Sequence, residues 1–213
     1  MTRYKVNVDE DYQPGSTDVL RNFLDTCDPL LISEEETKAL KGAYQYYSNQ
    51  LNADDPITVK LILEMHKKWL GGIYPFAGKL RTVSMSKGGF LFAAPPQIER
   101  LLADLEKNEL TSLTPCHGKS VQEVALSIAV IHVEFILIHP FREGNGRLAR
   151  LIAYIMGLQA GYPPLNFGSI DDKSAETHRR YIAAIHKGLE KDYSAMQQIF
   201  VEILSNSDPM EKS

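Results

Sequence analysis

Twelve residues carry the densest reactive chemistry of this chain: His139-Pro-Phe-Arg-Glu143-Gly144-Asn145-Gly146-Arg147, then Leu148-Ala149-Arg150. Gly144-Asn145-Gly146 lets successive backbone N–H groups point into one concavity. That concavity falls at a helix N-terminus, where donors lack intrahelical partners and the dipole end is positive. Arg147 and Arg150 share one face of the helix. Cations at that end are disfavoured by roughly 0.3–1 kcal/mol and repel each other. The pattern therefore asks for an anion, and an extended polyphosphate would engage both guanidiniums. Glu143 is a carboxylate able to ligate a Mg²⁺ shared with phosphates. His139, just before the loop, can take a proton from an attacking hydroxyl. A base, a metal ligand, an anion nest and two arginines are the parts that attack on a nucleotide phosphate needs. Each has a bland alternative: a plain turn, arginines paired with acids elsewhere, a capping histidine. Their gathering in one short segment favours the chemistry. Phe141 is assigned to the core, as the anchor of the loop.

Helices must hold this segment in place. Ser33-Glu34-Glu35-Glu36 fits a capping box, predicting a helix over about 34–51. Asp55-Pro56 offers the next start; Leu61, Ile62, Met65 and Trp69 recur at helical spacing, and Gly71-Gly72 ends that helix. Residues 79–93 alternate around Lys87-Gly88-Gly89 and read as a β-hairpin, with Phe90, Leu91 and Phe92 on its second strand. Pro95-Pro96 opens a helix carrying Ile98, Leu101, Leu102 and Leu105. From Lys119 to Ile138 a helix apolar nearly all round should lie at the centre of a bundle. Further helices are expected over about 146–160, 171–189 and 192–205. The fold class is all-α, a helical bundle with one small β-hairpin. Residues 1–32 form an N-terminal arm, 33–205 the helical domain and 206–213 a C-terminal tail.

The composition bounds the rest. The chain has 213 residues, 44% hydrophobic and 23% charged, with net charge −4. One domain with a sizeable core follows, and a general polyanion-coating role, such as direct nucleic-acid binding, is disfavoured. Cys27 and Cys116 cannot build a disulfide framework and read as reduced thiols of a cytoplasmic protein. The N-terminus lacks an apolar h-region. The run Val124–Ile138 is short for a membrane span and contains Ser127, His132 and Glu134, so a buried helix is expected. His132 reads as a satisfied core histidine and Glu134 as a hydrogen-bonded helix edge. His66, His178 and His186 read as surface or capping groups. Neither a G-x-x-x-x-G-K-[ST] loop nor a G-x-S-x-G elbow occurs.

HPFREGNGRLAR resembles the Fic-family active-site motif, H-x-F-x-[D/E]-G-N-G-R-x-x-R, at every defined position. The resemblance spans roughly 56–204: Ile73–Arg81, IYPFAGKLR, looks like the family's approach to its flap hairpin. Tyr12–Asn22, YQPGSTDVLRN, is similar to the arm of short bacterial Fic toxins. The resemblance implies transfer of AMP from ATP to a Ser, Thr or Tyr hydroxyl of a target protein, with release of pyrophosphate. It implies His139 as the base and Glu143 as the Mg²⁺ ligand. Gly144, Asn145 and Gly146 would cradle phosphates, with Asn145 also placing the α-phosphate. Arg147 and Arg150 would grip the distal phosphates, and Tyr181 would neighbour the adenine. Lys87, Gly88, Gly89 and Phe90 would form the flap that docks an extended target segment by strand addition. The family's inhibitory helix, [S/T]-x-x-x-E-[G/N], pairs its Glu with the second motif arginine. No satisfactory match appears: Ser207-Asp-Pro-Met-Glu211 precedes Lys212 and contains Pro209, and Thr17–Asn22 has Arg21 where Glu is needed. A separate antitoxin-like inhibitor, as in a toxin–antitoxin pair, is the expectation. Two alternatives stand beside AMP transfer. One is a phosphotransferase or other phosphate-group transfer; that branch usually has Lys where this chain has Gly146. The other is a non-enzymatic nucleotide-binding module, against which His139 argues.

Overall fold

The first helix begins earlier than its capping-box signal. α1 runs Pro29–Gln50, and the Asp28 carboxylate accepts from the N–H groups of Leu30 and Leu31. Asp28-Pro29, which reads as a turn in the sequence, is an N-cap followed by a proline in the first turn, where its missing N–H costs nothing. The capping box at Ser33–Glu36 is therefore not used, the 1–32 arm gives up its last four residues to α1, and Glu36 is buried instead. The structure, a computed structural model, describes residues 5–6, 12–118, 120–171 and 174–207. Of the Ser207–Glu211 segment only Ser207 lies inside them, and most of the 206–213 tail lies outside.

α2 spans Val59–Leu70; Thr58 caps it by accepting from Leu61 N–H, and Gly71 ends it. Thr58, not Asp55-Pro56, is thus the start signal. A 3₁₀ turn, Pro95–Gln97, leads into α3, Ile98–Leu105, and the chain stays helical through Leu113. α4 spans Val121–Ile138 behind a Ser120 cap. α5 spans Asn145–Gln159, α6 Ala175–Lys187 and α7 Ser194–Ser207. A short helical turn at Gly168–Asp171 precedes α6.

α4 lies at the centre, against α5 on one side and α7 on another, with α3 also touching it. Val124, Ile128, Ile131, Phe135 and Ile138 are all within 5% of full burial, each contributing roughly 1.5–3 kcal/mol through lost water contact. At 18 residues α4 is long and apolar enough to cross a membrane by composition alone. Its buried stripe and its neighbours place it in the core. Leu126 is the exception, 42% exposed on the outer face. Cys27 is exposed and Cys116 buried, both as free thiols.

The hairpin is tighter than the 79–93 alternation suggests. β2 is Met85–Lys87 and β3 Phe90–Leu91, paired antiparallel. The turn is Gly88-Gly89, with φ of +59° and +85°, the doubly positive geometry that matches strand twist and favours glycine. The N-terminal arm adds a strand that the sequence did not suggest: β1, Lys5–Val6, pairs antiparallel with β2, opposite Ser86 and Met85. The sheet order is β1-β2-β3.

Candidate active site

α4 ends in a residue of unusual backbone. His139 is its C-cap, in the left-handed region at φ 51°, ψ 59°, a conformation a non-glycine residue holds only when its surroundings enforce it. Its N–H still donates to the Phe135 carbonyl. Its ring lies 3.7 Å from the Phe92 ring and nearly parallel to it, and the residue is 4% exposed. Nδ1 is 3.2 Å from the Ile136 carbonyl. A carbonyl only accepts, so Nδ1 carries the proton and Nε2 keeps the lone pair of a base. Burial, helped by the charges of Arg81 and Lys87 and opposed by the Ile136 hydrogen bond, pushes the pKa down to about 3. His139 is a neutral base at every working pH.

The loop after it is internally braced. Gly144 caps α5 with φ +86°, and a Cβ there would sit 2.7 Å from the Trp69 indole. Only glycine fits on both counts. Asn145 is fully buried; its Oδ1 accepts from Phe141 N–H at 2.9 Å and its Nδ2 donates to the Phe141 carbonyl at 2.7 Å. That reciprocal clamp gives Asn145 a loop-shaping role that the sequence reading did not include. Asn145 itself is not on the cavity wall, which its neighbours Gly144 and Gly146 line. Phe141 is fully buried, as expected, and stacks on His66 with ring centres 3.8 Å apart.

His66 corrects a second expectation. It is fully buried rather than a surface group. Its Nδ1 accepts from Gly78 N–H at 2.8 Å and its Nε2 faces the Glu143 carbonyl at 3.0 Å, so Nε2 must be the protonated nitrogen. One neutral ring ties the flap approach to the loop. The signal was available: His66 continues the apolar stripe Ile62, Met65, Trp69.

Arg147 is held by the protein's own acids. Its Nη1 donates to Glu36 Oε2 at 2.7 Å and its Nη2 to Glu143 Oε1 at a longer 3.4 Å. Its guanidinium lies 4.7 Å from the centre of the Trp69 ring. The other Glu36 oxygen accepts from Tyr74 OH at 2.6 Å, and Trp69 Nε1 donates to the Glu36 carbonyl at 2.9 Å. Glu143 Oε1 also accepts from Gly144 N–H at 2.9 Å. The carboxylate therefore sits on the nest donor expected to meet phosphate.

These groups open on a cavity of about 770 Å³, within the range for small-molecule sites. His139, Glu143, Gly144, Gly146, Arg147, Arg150 and Tyr181 line it, with Lys87, Gly88 and Phe90 of the hairpin. Gly89 completes the turn without reaching the wall. Tyr181 is anchored by its hydroxyl, 2.8 Å from His132 Nε2; His132 lies in the core as expected but is only half satisfied, since its Nδ1 is buried without a hydrogen-bond partner among the described residues. Glu134 accepts from Tyr193 OH at 2.6 Å at the helix edge. Wall residues that the sequence did not single out include Arg179 and Ile182; His178 and His186, read there as surface groups, are exposed as expected and also line the cavity, with His186 stacked on Phe90 at 4.9 Å. Among the described residues Lys87, Arg147, Arg150 and Arg179 face the Glu143 carboxylate on this wall, with Glu36 paired behind Arg147; the excess of positive charge suits a polyanion. Among the described residues no group of three His, Cys, Asp or Glu gathers as a metal cage. One carboxylate at the N-terminus of α5, beside the Gly144 N–H, would fit a Mg²⁺ that takes its other ligands from phosphate and water.

Three buried histidines make stability sensitive to acid. Burial, the leading cause in each, lowers His66 to about 4 and His132 and His139 to about 3. The unfolded chain takes up protons as pH drops through 6.5 while the folded chain does not. Stability is thus fully present above 6.5 and lost progressively down to the folded values. Urea unfolding at pH 7 and pH 5 should show the loss, its slope approaching roughly 1.4 kcal/mol per pH unit for each histidine. An unfolding midpoint unchanged at pH 5 would contradict neutral burial.

Residues 56–156 match the Fic/DOC family. The chain is 33% identical over 135 residues to Protein adenylyltransferase fic-1 of Caenorhabditis briggsae, covering 61% of this chain and 24% of that protein. It is 33% identical over 124 residues to Protein adenylyltransferase Fic of Drosophila ananassae, covering 58% and 24%. The chain thus spans about a quarter of the length of these relatives. Among solved structures, BepC of Bartonella tribocorum with bound AMPPNP superposes with a TM-score of 0.70 at 23% identity, over 89% of this chain and 93% of that one. The N-terminal Fic domain of a Bartonella quintana effector with bound ADP gives 0.72 at 22% identity, over 91% and 94%. These two likenesses establish the fold: mostly helical, with one small antiparallel sheet.

Proposed function

We propose that this chain, which carries a Fic/DOC family domain over residues 56–156, transfers AMP from ATP to a hydroxyl side chain of a target protein and releases pyrophosphate. The observation that carries the reading is the cavity wall: a neutral base, His139, beside an arginine-rich anion site with one carboxylate. His139 Nε2 takes the proton of the attacking hydroxyl. The freed oxygen bonds to the α-phosphorus, the bond to the bridging oxygen toward the β-phosphate breaks, and the electron pair leaves with pyrophosphate. Phosphate oxygens replace the Glu143 carboxylate on Gly144 N–H and on the outer edge of Arg147. Arg150 adds charge toward the distal phosphates. Glu143 would hold the Mg²⁺, which when bound offsets phosphate charge. Phe92 covers the base, so the flap must shift before a hydroxyl reaches it.

Likeness to the fic-1 and Fic protein adenylyltransferases supports AMP as the group moved, and the nucleotide-bound neighbours support a nucleotide in this cavity. Control by a separate antitoxin-like protein in the cytoplasm belongs to the same reading. Glu36 engages Arg147 and leaves the second motif arginine, Arg150, to other partners. Incubation with α-labelled and γ-labelled ATP and a bacterial lysate tests the transfer. A protein band labelled only from the α position is the expected outcome, and γ labelling would indicate phosphoryl transfer instead. Arg150→Ala should weaken AMPPNP binding by roughly 1.5–3 kcal/mol, the worth of a charge-assisted hydrogen bond, or about ten- to a hundredfold. Calorimetry reads this directly, and an unchanged affinity would remove Arg150 from the nucleotide site.

A further inference from the structure

Arg81 is 4% exposed and lies outside the motif, yet it gathers carbonyls from three separate places. Nε donates to the His139 carbonyl at 2.7 Å, and Nη2 reaches the Ile138 carbonyl at 3.4 Å. Its backbone N–H donates to the Pro140 carbonyl at 2.9 Å. Three consecutive carbonyls, the last of α4 and the two that follow it, are thus met by one residue, at the helix end whose carbonyls lack intrahelical partners and which favours a cation. The same guanidinium does something a cap does not require. Nη1 donates to the Val83 carbonyl and Nη2 to the Ala93 carbonyl, each at 2.6 Å. Val83 and Ala93 are the two feet of the flap. Its β2–β3 hairpin lies between them, closed by Phe92 N–H donating to the Met85 carbonyl.

Geometry follows from this arrangement. A planar, rigid fork fixes both feet of the flap relative to the carbonyl of the residue whose ring is the base. That residue holds a left-handed backbone conformation, which needs outside support. The Phe92 ring stacked on His139 rises from the same clamped segment. Burial lowers the Arg81 pKa only to about 10, so the fork stays cationic at neutral pH.

We propose that Arg81 is the positioning residue that couples the flap to His139, setting the distance and register between the docked acceptor and the base. The proposal rests on the AMP-transfer reading above and concerns the acceptor side of the site, leaving nucleotide affinity to the arginines of α5.

Arg81→Lys and Arg81→Met test it with three measurements on the full chain: hydrogen exchange, AMPPNP affinity by calorimetry, and label transfer from α-labelled ATP to the lysate acceptor. Amides within 83–93 should exchange at least tenfold faster. The AMPPNP dissociation constant should stay within threefold of the unaltered chain. Label transfer should fall at least tenfold, with lysine, which keeps one charged donor, retaining more than methionine. Faster exchange confined to the end of α4, with the flap unchanged, would reduce Arg81 to a helix cap and overturn the proposal. So would a loss of AMPPNP affinity in step with transfer, which signals general disruption. If the methionine variant lacks a cooperative unfolding transition, the lysine variant decides. If the unaltered chain labels no acceptor, the AMP reading fails on its own, and the exchange arm still decides the coupling.

Discussion

His139→Ala should lower AMP transfer by about 10²–10⁴-fold, the usual contribution of a positioned general base, while AMPPNP affinity stays unchanged. The asymmetry follows from geometry. The ring sits at the end of α4 beneath Phe92, the acceptor side in the proposed reading, whereas that reading gives the nucleotide to the arginines and the Gly144 N–H. The pH profile sharpens the test. With the His139 pKa at about 3, transfer by the unaltered chain should show no falling limb near 6.5 from this base. Any loss at pH 5–6 should follow loss of folded protein, which circular dichroism at the same pH can separate. Full transfer by the alanine variant would remove His139 from the mechanism.

Glu36→Ala should destabilise the fold by about 3–5 kcal/mol, because it strips the short ion pair from a guanidinium that is mostly out of water. Arg147 has a side-chain exposure of 18% and Glu36 of 2%, so solvent screening is weak. Tyr74 OH loses its acceptor as well. Glu36→Gln retains an acceptor for Tyr74 and removes only the charge, so it should cost less than alanine. Urea unfolding measures both. A loss below about 1 kcal/mol for the alanine variant would mean that Arg147 finds another acid or swings into water.

The motif was legible because its chemistry is local. Glycine conformations, paired arginines and a preceding histidine all fall within the first two turns of α5 and the loop before it. The placement of α4 was legible because an apolar face repeated over five turns has few other uses. What stayed hidden depends on partners far away in sequence. Glu36, three residues after Ser33, satisfies a local capping pattern, and nothing in its neighbours tells that it meets Tyr74 and Arg147 across the core. Arg81 bonds only to carbonyls, which carry no side-chain identity to search for. Asn145 was read through its motif, which does not tell that its amide closes on the Phe141 backbone. The arm's strand was hidden for a similar reason: two residues of backbone pairing leave no periodicity.

That extra strand has a geometric consequence. Among the described residues the small sheet has two margins, and the arm lies along one of them, opposite Ser86 and Met85. The other margin is β3, where Leu91 is 68% exposed. A visiting polypeptide that lengthens the sheet without disturbing it must lie alongside Phe90–Leu91. One that lies alongside Met85–Lys87 must first peel the arm away, and its binding would then weaken as the arm's own grip strengthens.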